Sequence, residues 1–167
     1  AISEGKGSMK VEAKVDAKTK RDGSLDMNRL AYQAKVQARN IQAKHFLPKQ
    51  DLHTFTGDIE AKGVGTDFLS PRTYLVAHAK VNQVRYGKYN LTNVIAKAHV
   101  ENGRVHADVD SKNHYLNGLV TVDALTHTKD IQATLTADVR NLDLYQLEIT
   151  KKPMNAALCG QIDLRSN

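Results

Sequence analysis

A period of two constrains this chain more than any other feature. Met9, Val11, Ala13, Val15 and Ala17 alternate with Lys10, Glu12, Lys14, Asp16 and Lys18. Tyr32, Ala34, Val36 and Ala38 alternate with Gln33, Lys35, Gln37 and Arg39. Phe55-Gly57-Ile59-Ala61 and Leu75-Ala77-Ala79-Val81 repeat the pattern. Successive strand side chains point to opposite faces, so alternation gives half-buried strands with one apolar and one wet face. No segment of helical length sustains a helical period. The fold class is all-β, an antiparallel meander of about eight to nine strands.

Turn chemistry then sets a register. Asn102-Gly103 tolerates positive φ at both positions and predicts a two-residue hairpin. Val100 then faces Val105 and Ala98 faces Ala107, while Glu101 meets Arg104 and Lys97 meets Asp108. A Gly87-Lys88 turn sets Leu75 against Val100 and Val81 against Val94. An Asn113-His114 turn sets Val105 against Val122, and a longer loop at 125–130 sets Val122 against Ala133. Asp22-Gly23 pairs Val11 with Ala34 and Val15 with Leu30. Further strands are expected near 53–62 and 155–165. The turns agree on one apolar face, and a one-residue slip would invert it. Ile95 and Val84 fall on the wrong face, where a bulge or a local contact is expected.

An apolar sheet face must be covered. Asn40–Leu47 and Asn141–Leu147 predict two short helical caps, too short to roof a sheet. The cover is therefore a second sheet, the same sheet curled over, or a ligand. A sandwich-like or barrel closure and an open groove both satisfy the pattern. An Ala-rich lining favours the groove, because small side chains leave room. Its expected lining is Val11, Ala13, Leu75, Ala77, Ala79, Val81, Ala96, Ala98, Val100, Ala107, Val109, Val120, Ala133 and Leu135. A weak repeat runs through the chain. Arg39-Asn40-Ile41 resembles Arg140-Asn141-Leu142, and Gly57-Asp58-Ile59-Glu60 resembles Gly160-Gln161-Ile162-Asp163. Residues 1–167 read as one fragment of a longer repetitive protein, with possible units at about 8–62 and 63–165.

Catalytic chemistry has no carrier here. No nucleophile elbow or phosphate-binding glycine pattern occurs, and no cofactor site is expected. The formal charge of +6 is spread between apolar residues as a solvated face. No nucleic-acid-binding motif accompanies it. His99 and His106 face each other with Asp108 and Lys97 nearby, a solvated pair rather than a metal site. Cys159, the single cysteine, sits in an apolar stretch and reads as a buried thiol. No apolar run reaches the length of a membrane-spanning helix. The chain opens at Ala1 without Met, as an excised piece would.

A family resemblance rests on residues 57–113. Gly63, Gly65, Thr66 and Asp67 form a loop, followed by Ser70-Pro71, the Tyr86-Gly87-Lys88-Tyr89 turn and Asn102-Gly103. Arg140-Asn141-Leu142-Asp143-Leu144-Tyr145 is similar to a strand-exit element of the same family. This region resembles the AsmA-like portion of the TamB family of double-membraned bacteria. The resemblance implies a β-taco, a trough with an apolar inside, in a periplasmic protein anchored in the inner membrane. It implies lipid transport or barrel-protein assembly at the outer membrane, and a barrel partner held by parts absent here. The implied ligand is a phospholipid or other amphiphile. Two other functions fit the alternation: a scaffold that adds strands of a client protein at its edges, and a structural spacer with a closed core. An apolar face left open also predicts self-association.

Overall fold

The computed structural model describes residues 2–4, 7–42, 52–126 and 131–165. Ten strands form one sheet: β1 (Ile2–Glu4), β2 (Gly7–Asp16), β3 (Ala31–Gln42), β4 (Leu52–Val64), β5 (Tyr74–Tyr86), β6 (Tyr89–Glu101), β7 (Arg104–Lys112), β8 (Leu116–Leu125), β9 (Gln132–Asp143) and β10 (Asn155–Arg165). Their spatial order is their chain order, every pairing is antiparallel, and β1 does not meet β10. The sheet is open. Among the described residues, every substantial contact between elements joins strands adjacent in sequence. Among the described residues no second layer covers either face.

The surface area measures that openness. A compact globule of 18.5 kDa exposes about 8,200 Å². This chain exposes 11567 Å². Buried apolar side chains are correspondingly few among the described residues: Ala38, Ile41, Val100, Ala137 and Val139.

Two hairpins match the sequence residue for residue. Asn102 and Gly103 take φ of 52° and 68°, and Val100 pairs with Val105 as the turn requires. Gly87 takes φ of 55°, and Leu75 pairs with Val100. Three other registers are corrected by two residues. Val105 pairs with Ala124 rather than Val122. Val122 pairs with Leu135 rather than Ala133. Val11 pairs with Val36 and Val15 with Tyr32. At 113–116 the cause is visible. The Asn113 carboxamide oxygen accepts from the amides of Tyr115 and Leu116, and the Asn113 amide donates to the Leu116 carbonyl. An Asx-type cap of this kind stabilises a longer turn than two residues need. A two-residue shift preserves parity, so every apolar side chain keeps its face.

The cap expected at Asn141–Leu147 is not present, and the described part of the one expected at Asn40–Leu47 is not helical. Residues 40–42 continue β3, and 43–47 lie outside the described residues. Residues 141–143 continue β9, and 144–148 form turns, with Glu148 at φ 58°. Among the described residues the helical content is one 3-10 turn, Met27–Arg29, capped by the Asp26 carboxylate. Bulges interrupt the strands. Asn40 sits at φ 51° and Asn93 at φ 53°, and the β4–β5 pairing shifts at Thr56/Gly57. Beyond these points Ile41 pairs with Phe55, Phe55 with Val84 and Val84 with Leu91. Bulges rephase the alternation, which brings Val84 into an apolar row and buries Ile41.

The two resembling Arg-Asn segments each coincide with a bulge. β3 skips Arg39-Asn40 against β4, and β9 skips Arg140-Asn141 against β10. Gly57 pairs with Ala38, and Leu158 pairs with Val139. The Gly160 motif therefore lies two residues further along its strand than the Gly57 motif does.

Candidate functional site: an uncovered apolar sheet face

Cross-strand pairing assembles the apolar face into rows perpendicular to the strands. One row reads Ala13-Ala34-Ala61-Ala77-Ala98-Ala107-Val122-Leu135-Ile162. The next reads Val11-Val36-Ile59-Ala79-Ala96-Val109-Val120-Ala137-Gly160. Two flanking rows run from Val15 to Leu164 and from Met9 to Leu158. Ser111 is the polar exception, and its hydroxyl donates to the Leu116 carbonyl at 3.1 Å. Small residues dominate the rows through the middle strands, so the lining is smooth.

All of the expected lining residues lie in these rows. Val100 is buried, Val11, Ala13 and Val109 are exposed, and the others are half-buried. The reading of the sequence missed the shares of β3, β4 and β10, notably Ala34, Val36, Ile59, Ala61, Ile162 and Leu164. Their alternation was visible, but none of the connections β2–β3, β3–β4 and β9–β10 is a two-residue turn that fixes register. Exposure rises towards the sheet edges, with Val11 at 51% and Ile162 at 57%. Glycines shape the floor. At Gly63 an added Cβ would meet the Tyr32 hydroxyl and the Tyr74 carbonyl, both at 2.6 Å. The Tyr32 ring lies across that gap and replaces the missing side chain.

The opposite face is ionic. Lys35 meets Glu60 at 2.6 Å, and the Arg39 guanidinium meets Asp58 at 3.0 Å. The Glu60 carboxylate beside Lys35 raises the Lys35 pKa. His99 and His106 are paired across β6 and β7, as the hairpin requires. The His106 ring contacts the Asp123 carboxylate at 2.6 Å and the Asp108 carboxylate at 3.2 Å. The hydrogen bond to Asp123 raises the His106 pKa above the usual imidazole value, and that to Asp108 adds to it. The Thr121 hydroxyl donates to Asp108 at 2.7 Å and lowers its pKa. Among the described residues no three His, Cys, Asp or Glu converge in a geometry that would hold a metal ion.

Cys159 is exposed, not buried. It lies on the ionic face of β10, and among the described residues no strand flanks β10 on its outer side. Two clefts on this ionic face, of about 650 Å³ beside His106 and Asp163 and about 520 Å³ beside His78 and His99, are lined by both charged and apolar residues. Comparison with protein-family models, with curated proteins and with solved structures finds no match.

Proposed function

We propose that this chain is a non-enzymatic segment of a lipid-handling β-groove, of the kind the TamB family is expected to form. The observation that carries the reading is the set of continuous apolar rows across nine strands, half exposed and without a second layer. A spacer with a closed core needs that layer. Each acyl methylene moved from water onto the lining gains roughly 0.8 kcal/mol. An aliphatic floor of Ala and Val offers no hydrogen-bonding groups, so it holds chains weakly at each point and permits sliding. Curling of the sheet about the lipid, a periplasmic setting, an inner-membrane anchor and an outer-membrane barrel partner belong to the same proposal.

Native mass spectrometry of the purified chain, followed by organic extraction, tests it. Phospholipid should co-purify and be lost when Ala79→Asp or Ala98→Asp places a charge in the central rows. A lipid-free chain whose variants behave like the parent overturns the reading.

One observation favours a second reading. β10 is an edge strand of eleven residues, exposed along almost its whole length. Such an edge is a template for strand addition. Capture of an extended client peptide along β10, with no lipid bound, would support a scaffold instead.

A further inference from the structure

The connections β2–β3, β4–β5, β6–β7 and β8–β9 leave the sheet at one end, as the antiparallel order requires. Hydrogen bonds tie them edge to edge. The Gly65 amide donates to the Leu30 carbonyl at 2.9 Å, and the Thr126 amide to the Gly103 carbonyl at 2.8 Å. The Thr126 hydroxyl donates to the Phe68 carbonyl at 2.9 Å.

Two of these loops are also stiffened from within. In 17–30 the Asp22 carboxylate accepts from the Ser24 amide and hydroxyl, and Thr19 bridges to Leu25. In 65–73 the Asp67 carboxylate accepts from the Leu69 amide. The Asp67 carbonyl accepts from the Ser70 amide and from the hydroxyl of buried Thr73.

These frameworks hold large apolar side chains in water. Leu25 is 56% exposed, Met27 46%, Phe68 46% and Leu69 57%. Apolar groups displayed together on rigid, hydrogen-bonded loops mark an interaction surface. The same loops carry Lys18, Lys20, Arg21, Arg29 and Arg72, all exposed. Their carboxylates are engaged locally. Asp22 and Asp67 cap backbone amides, while Asp26 caps Asn28 and meets Arg29 at 3.6 Å. Lys18, Lys20, Arg21 and Arg72 make no ion pair among the described residues. Apolar apices flanked by unpaired cations match one partner: the interface of an anionic bilayer, where acyl chains accept the first and phosphates the second.

We propose that this loop end docks on an anionic lipid surface. The proposal does not depend on the groove reading, because it uses none of the lining residues.

Flotation of the full chain with vesicles tests it, comparing phosphatidylcholine alone with phosphatidylcholine containing about one-third phosphatidylglycerol. Binding should require the anionic lipid and weaken with salt. Lys20→Gln with Arg21→Gln, and Phe68→Ser with Leu69→Ser, should each reduce bound chain about tenfold. Circular dichroism of these exposed-site variants checks that the sheet persists. Ala98→Asp should lower co-purified lipid yet leave flotation unchanged, which separates this proposal from the groove. The proposal is overturned if the parent ignores anionic vesicles, or if the loop variants float like the parent. Variants that break a dimer seen by light scattering, without changing flotation, would assign the loops to self-association and also overturn it.

Discussion

At the scale of single residues, the ionic face titrates in a way the structure specifies. His106 lies between Asp123 and Asp108, faces His99 across the hairpin and has Lys97 on the diagonal. The two carboxylates favour the imidazolium, so its pKa is raised in the folded chain. A raised value means that the associated stability is fully present below the unfolded value, about 6.5. It is lost as pH rises through the folded value. The ring is half exposed, so the energy is that of a screened surface pair and small. Ring-proton titration by NMR should place the His106 midpoint above that of a free imidazole. Asp123→Asn should lower the midpoint, since Asp123 supplies the largest part of the shift. A midpoint unmoved by that substitution would mean that the contact does not persist in solution.

At the scale of elements, parity was easier to read than register. Alternation assigns each side chain to a face wherever a strand is continuous, and the structure keeps all fourteen lining residues in the apolar rows. Register needs the turn as well. Asn102-Gly103 and Gly87-Lys88 have the residues that two-residue hairpins demand, so their strands pair as expected. The Asn113 turn hid its extra residues behind a side-chain cap, and the β2–β3 loop folds its own bridge and 3-10 turn. Helical caps were expected where apolar residues cluster at Ile41 and Leu142. Spacing alone does not distinguish a short helix from a bulge that rephases a strand. Cys159 was misplaced because an apolar neighbourhood in sequence says nothing about whether a strand is an edge. That edge has a measurable signature. In β10 alternate amides pair with β9, and the intervening ones point away from the sheet. Hydrogen exchange should therefore alternate along Asn155–Arg165 between slow and fast amides. Uniform protection would show that another strand, from a second copy or elsewhere, occupies the edge.

For the whole molecule, the decisive quantity is surface area. The chain exposes 11567 Å² where a globule of its mass exposes about 8,200 Å². Unfolding therefore exposes less new apolar area than usual. Heat capacity follows apolar exposure, at about 12–15 cal/mol/K per residue for ordinary domains. A compact chain of 167 residues would give about 2.0–2.5 kcal/mol/K. The open sheet should fall clearly below that range in calorimetry of lipid-free chain. An amphiphile that binds the apolar face of the folded chain should raise Tm by mass action. It should also raise the apparent heat-capacity change, because unfolding then uncovers both protein and ligand. A lipid-free value within the ordinary range would mean that the apolar face is already covered in solution. Light scattering then decides the cover: doubled mass points to face-to-face pairing of two copies, and monomer mass to closure of the sheet upon itself. Either result would remove the open lining on which lipid sliding depends. A low value with a ligand-dependent rise would leave the face available for a chain-like guest.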